Sequence, residues 1–215
     1  MDNRAVFMEY AQSTSWIAVH LAQYFAVLLL VGGLVALYYC ITARPGVGAA
    51  LARFGLAAAV TTAASFTILQ AVDGVTLKLA VDAWASAPAA QEGAYFAAAE
   101  VVRWTEIGIN SLSYFLLGLS LFLYGLALAL GSIQPRWAGW IALISGVGFM
   151  YHGAGVVPYR GFDMSISSMV GMLGLTVWAF IIAIFMWRNS SRQAIAGSEE
   201  SAPPVPPAQQ PAGTG

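Results

Sequence analysis

Polar residues that can do chemistry stand inside or at the edge of long apolar runs. His20 and Gln23 lie about one helical turn apart near the start of one run, and Gln70 and Asp73 close the next. Glu106 and Asn110 open a third, and His152 follows Tyr151 in a fourth. Two histidines on different helices at one depth can supply two axial nitrogens to a b-type haem, or part of another metal site. Glu106 with Asn110 and Asp73 can form a proton-accepting or cation-binding cluster, because a carboxylate held in an apolar setting takes up a proton or cation more readily than one in water. Each group also has a plainer role. An imidazole can bond a polar group on a neighbouring helix, and the carboxylates can sit at a hydrated hairpin base. No Ser-His-Asp spacing, phosphate loop, HExxH or paired-cysteine motif occurs, so no catalytic residue and no enzyme class are assigned.

The elements that must position these residues follow from composition. Of 215 residues, 59% are hydrophobic and 9% charged, with a mean hydropathy of +0.73. A chain this poor in charge cannot cover a water-facing surface, so the apolar excess must face lipid. A net charge of −1 offers no basic footprint for nucleic acid. Cys40 is the single cysteine, so there is no intramolecular disulfide and no report on redox compartment.

Runs near 16–41, 54–75, 106–131, 137–157 and 165–187 are each long enough to cross a hydrocarbon core, which takes about 20 helical residues. They are continuous rather than alternating, which argues for helices over strands. The expected architecture is an all-α, five-span helical bundle over residues 1–188. The first run reads as an uncleaved span, since Asp2, Arg4 and Glu9 precede it and no small-residue cleavage site ends it. Trp16, Trp104, Trp137, Trp140, Trp178 and Trp187 mostly fall near span ends, as interfacial aromatics do.

Orientation follows from the short connections. The segments 42–53 and 132–136 carry Arg44, Arg53 and Arg136 without an acid, and Arg188 and Arg192 follow the last span. Arg4, Lys78, Arg103 and Arg160 lie on the other side with most of the acids, Asp163 among them. Basic residues in short loops favour the cytoplasm, giving an N-terminus outside and a C-terminus inside. Residues 189–215, rich in Pro, Ala and Gly, read as a disordered cytoplasmic tail.

Between Phe54 and Pro88 nothing compels a helix to stop, although Gly74 can bend it. One helix of that length would extend roughly 52 Å, against about 30 Å of hydrocarbon. Its excess therefore projects outside the membrane. The segment from about Ala94 is also helix-compatible and leads into the third span, so the two form a protruding hairpin turning within SAPAAQEG (86–93). A turn centred near residue 90 puts Lys78 beside Glu100, Asp73 near Arg103 and Glu106, and Gln70 level with Asn110. Helical spacing also allows Lys78 to pair with Asp82 and Glu100 with Arg103. These charges can close the hairpin as salt bridges. Glycines at 139, 146, 148, 153, 155, 171 and 174 mark close helix contacts in the last two spans.

The strings LQAVDGVTLKLAVDAWASAP and FAAAEVVRWTEIGINS, the opening PRWAGW of the fourth span and the short arginine loop before the second resemble an uncharacterised family of small multi-pass bacterial membrane proteins. The resemblance covers most of 16–188. It implies a bacterial cytoplasmic membrane protein in which Asp73, Gly74, Lys78, Glu100, Arg103 and Glu106 belong to one unit, and it supplies no activity. The leading expectation is an outward-facing polar pocket formed by Gln23, Gln70, Asp73, Glu106 and Asn110. It would bind a small ligand, a lipid headgroup or a segment of a membrane protein partner. The alternatives are a redox protein holding haem b between His20 and His152, and a non-catalytic scaffold or assembly subunit.

Overall fold

The computed structural model describes residues 3–131, 135–160 and 165–200, and every regular element among them is helical. They are α1 (Asn3–Gln12), α2 (Trp16–Thr42), α3 (Val47–Ala85), α4 (Glu92–Leu130), α5 (Arg136–Arg160) and α6 (Ile166–Glu200). Helices α2 to α5, and α6 over Ile166–Ser190, are long and apolar enough to cross a membrane. The five expected runs each become one helix, with shifted ends.

The shifts have local causes. The second span, α3, begins at Val47 rather than near 54, so Arg53 is helical and the connection shrinks to the residues around Pro45 and Gly46. Gly46 has φ of 143°, a conformation that L side chains rarely adopt; beyond it, VGAALAR holds no helix breaker. Similarly, α4 starts at Glu92, directly after the turn, and carries the hairpin arm and a span as one helix. Disorder from residue 189 is corrected over its first part. Helix α6 runs on to Glu200, because Gln, Ala and Glu favour helix and the first proline comes at 203. The rest of the tail, 201–215, and Asp163 lie outside the described residues.

Each long helix packs against its neighbours in sequence, α2 on α3, α3 on α4, α4 on α5 and α5 on α6. The tightest seam is antiparallel and has a seven-residue repeat. Ser111, Gly118 and Gly125 of α4 face Gly153, Gly146 and Gly139 of α5. A Cβ added at Gly146 would stand 2.6 Å from the Gly118 carbonyl oxygen, and one at Gly139 would stand 2.6 Å from that of Gly125. At the third level Ser111 donates to the Gly153 carbonyl at 2.6 Å. Small residues let backbones touch where lipid supplies no hydrophobic drive between helices. Gly171 and Gly174 do the same between α6 and α5, meeting Phe149 and Ser145, and Ser145 donates to the Gly171 carbonyl. The glycine contacts expected at 139, 146, 148, 153, 171 and 174 are present, with Gly118 and Gly125 as partners on α4, whereas Gly155 meets only Tyr151 of its own helix.

Two apolar clusters result. One fills the bundle, around Leu37, Leu121, Tyr124, Leu128 and Trp178, and the Tyr124 hydroxyl donates to the Leu34 carbonyl at 2.9 Å. The second lies beneath α1, where fully buried Phe7 meets Leu77, Val81, Trp84 and Ala99 of the hairpin. Gly146→Val should lower unfolding free energy by about 2–3 kcal/mol, because the new side chain must part α4 and α5. Gly108→Ala, with open space around it, should change it by less than about 1 kcal/mol. Unfolding of both variants in mixed micelles checks the difference; equal behaviour would contradict the seam.

Candidate functional site

Asp73 sits in a π-helical turn, Val72–Leu77, inside α3. Such a turn admits an extra residue and leaves a carbonyl without its usual partner; the Thr76 hydroxyl donates to that of Ala71 at 3.1 Å. Gly74 makes the turn fit, since an added Cβ would stand 2.8 Å from His20 Cβ. Gly74, the position where the sequence allows a bend, lies within this π turn. Its effect is to aim Asp73 at α2 while Leu77, Val81 and Trp84 stay on the side facing α1.

His20 joins α2 to that turn. Its Nε2 lies 3.0 Å from Asp73 Oδ2 and its Nδ1 lies 2.7 Å from the Trp16 carbonyl oxygen. The carbonyl can only accept, so Nδ1 carries a proton; the contact to Asp73 then needs one more proton, held by Nε2 or by the carboxyl. The two residues act as a proton-sharing pair. Trp16 completes the joint, stacking on the imidazole at 4.5 Å and donating from Nε1 to the Asp73 carbonyl at 3.0 Å.

A second pair stands on α4. Arg103 donates to Glu106 Oε2 at 2.6 Å, and Glu106 is 1% exposed. The guanidinium also lies 5.5 Å from the centre of the Tyr10 ring on α1. Asp73, His20 and Arg103 are all within electrostatic reach of Glu106. Burial pushes the Tyr10 phenol above its ordinary titration range, Glu106 and Asp73 add to that, and Arg103 opposes it. Asn110 is buried about one turn further along α4. Buried Arg103, Glu106 and His20 and part-buried Asp73 thus form one group beside Tyr10 and Trp16.

The expected hairpin zipper is partly corrected. Lys78 does pair with Asp82, at 2.5 Å, but it also donates to the Ala11 carbonyl, and Glu100 accepts from Asn3 Nδ2 at 2.9 Å. Lys78 and Glu100 therefore bind α1 rather than each other. The reason is that α1 lies on the hairpin and supplies partners to both arms, with Arg4 also pairing with Glu92. Gln70 is not joined to Asn110; its amide donates to Gln23 Oε1 on α2 across a long 3.4 Å.

The histidines expected as axial haem ligands are engaged separately. Both nitrogens of His20 are committed within the protein, while His152 Nδ1 lies 3.0 Å from Ser165 Oγ and its ring meets Tyr114 edge-on. His152 opens a second π segment, His152–Val156, ahead of Pro158. Among the described residues no group of three or more His, Cys, Asp or Glu is arranged to hold a metal.

Two acceptors in this region lack a donor: Asp73 Oδ1 and Gln70 Oε1 are buried and unpartnered. Buried acceptors in this state cost about 1–3 kcal/mol each. Against the same turn lies a cavity of about 330 Å³ between α2 and α3, whose wall includes His20, Gln70, Gly74, Tyr24 and Leu21. Residues missed by sequence reasoning are Phe7, Tyr10 and Trp16. Phe7, Tyr10 and Ala11 do share a helical face in NRAVFMEYAQ, the one signal available. No family model, curated protein or solved structure matches the chain.

Arg103→Met should destabilise the protein by about 3–5 kcal/mol, because Glu106 would be left buried without its cation. The double variant Arg103→Met/Glu106→Leu should regain most of that loss. Unfolding titrations of the three proteins check this, and a double variant no better than the single would contradict the pairing.

Proposed function

We propose that this is a multi-pass membrane protein, N-terminus outside and C-terminus in the cytoplasm, that binds a small ligand carrying a hydrogen-bond donor at the His20–Asp73–Gln70 site. The membrane reading rests on five long apolar helices and on the large apolar side chains they leave exposed, such as Leu29, Phe54, Phe180 and Leu173. Its orientation rests on Arg44, Arg53, Arg136, Arg188 and Arg192 standing at the end opposite the hairpin. The hairpin and α1 then project outward, and the polar group lies at their base.

The observation that carries the ligand reading is the donorless Oε1 of Gln70, a residue of the cavity wall, with the donorless Asp73 Oδ1 lying outside the lining. A protonated amine with a short apolar tail has the matching chemistry. Its N–H groups would satisfy acceptors, and its charge would oppose the carboxylates. Its tail would meet Ile17, Leu21 and Val75. A volume of about 330 Å³ suits a small molecule, at the lower end of ordinary ligand pockets. Gln70 is the adjustable part. Its bond to Gln23 is long and cheap to give up, so its amide can turn to present Oε1. Asp73 acts from behind His20, setting the charge of the imidazole that faces the cavity.

The remaining charges have a structural task. Arg4 and Asn3 of α1 bond Glu92 and Glu100 of the hairpin, and Lys78 of the hairpin bonds the Ala11 carbonyl of α1, which leaves the binding role to the inner group.

Calorimetric titration with n-alkylammonium ions and the alcohols of equal length tests this in detergent at neutral pH. The amine should bind saturably, at least about tenfold tighter than the alcohol, as one charge-assisted hydrogen bond allows. Asp73→Asn and Gln70→Ala should each weaken it about tenfold with the thermal transition retained. Equal affinity for amine and alcohol, or unchanged binding in both variants, would overturn the proposal.

A further inference from the structure

The end of the molecule away from the hairpin holds a larger feature. Helices α2 and α6 are the outermost of the five, each with 17% of its apolar window buried, against 50% for α4 and 56% for α5. They border a lateral groove of about 1170 Å³. Its inner length is apolar, with Leu30, Leu34 and Leu37 on one wall and Trp178 and Ile182 on the other. Gly33 and Ala183 keep it wide. At its mouth the chemistry changes to Arg44, Asn189 and Ser190. Arg44 is exposed and has no ion-pair or hydrogen-bond partner among the described residues.

The geometry points to a binding site for one anionic phospholipid, with its acyl chains in the groove and its phosphate on Arg44. Three observations select this occupant. The groove runs from Leu29 to Arg44 along α2, about 22 Å at helical rise, which equals the depth of one leaflet with its headgroup. Its polarity has a lipid's order, apolar along the length and cationic and hydrogen-bonding at one end. The charge at that end is an unpaired guanidinium, whose planar fork fits a phosphate. Basic sites between helices on the cytoplasmic side hold anionic headgroups in this manner. The site is separate from the His20–Asp73 group and stands independently of what binds there.

Native mass spectrometry of the delipidated protein tests it, with phosphatidylglycerol and phosphatidylcholine of identical chains as probes. The wild type should retain one phosphatidylglycerol about fivefold over phosphatidylcholine, the effect of one well-placed cation. Arg44→Ala should bring that preference to about unity, and Arg44→Lys, a cation without the planar fork, should keep only part of it. Arg53→Ala, at the same end but off the groove, should change nothing. Ala183→Phe should reduce retention of both lipids by filling the groove. Preference unaffected by Arg44→Ala, or retention unaffected by Ala183→Phe, would overturn the assignment. So would a lipid-free dimer that Ala183→Phe splits, since a second copy would then occupy the groove.

Discussion

The contact between His20 and Asp73 is the constraint on which the hairpin end depends. A carboxylate carried into apolar surroundings must find a charge or proton partner, and here the partner comes from another helix. That requirement explains three features together. Helix α3 needs its π turn to aim Asp73 across at α2, Gly74 must lack a side chain for His20 to approach, and Trp16 must close the joint from above. Arg103 and Glu106 solve the same problem within α4. With each buried charge matched, α1 can lay Phe7 and Tyr10 over the group without stranding an ion beneath them.

The two ends of the bundle are built differently. Along α4 and α5 the backbones meet at glycine and serine every seventh residue, giving a dense and rigid seam. Helices α2 and α6 flank it with far less of their surface covered. A rigid centre with open flanks fixes the polar group from one side and leaves cavities between α2 and its neighbours: a small one on α3 and a large groove shared with α6. The first is walled in part by Gln70, whose Oε1 lacks a donor, and the second ends at the exposed Arg44.

Much of this was legible in the sequence, for physical reasons that also mark the limits. Continuous apolar runs announce long helices whatever their neighbours, and SAPAAQEG announces a turn, so the five helices and the hairpin were readable. Helix α1 was not, because ten residues holding Arg4 and Glu9 look like a polar leader until the surface that receives Phe7 is known. Pairing by residue-number sum placed Lys78 with Glu100 and Gln70 with Asn110. It brought Asp73 towards Arg103 and Glu106 but missed those two pairs, because it ignored both the inserted π residue and the partners that α1 and α2 supply. His20 and His152, placed at one depth by the sequence, bond different groups, Asp73 and Ser165. The heptad of Gly139, Gly146 and Gly153 could have led to its counterpart at Gly118 and Gly125, since antiparallel helices in contact need matching small positions.

A double-mutant cycle on His20 and Asp73 tests the account at its base. Unfolding free energies are measured in mixed micelles for His20→Ala, Asp73→Ala, the double variant and the wild type. A charge-assisted hydrogen bond joining two helices should give a coupling of about 1.5–3 kcal/mol, with the double variant less damaged than the sum of the singles. Strict additivity would mean that His20 and Asp73 act independently, and the organisation of the site around their contact would be wrong.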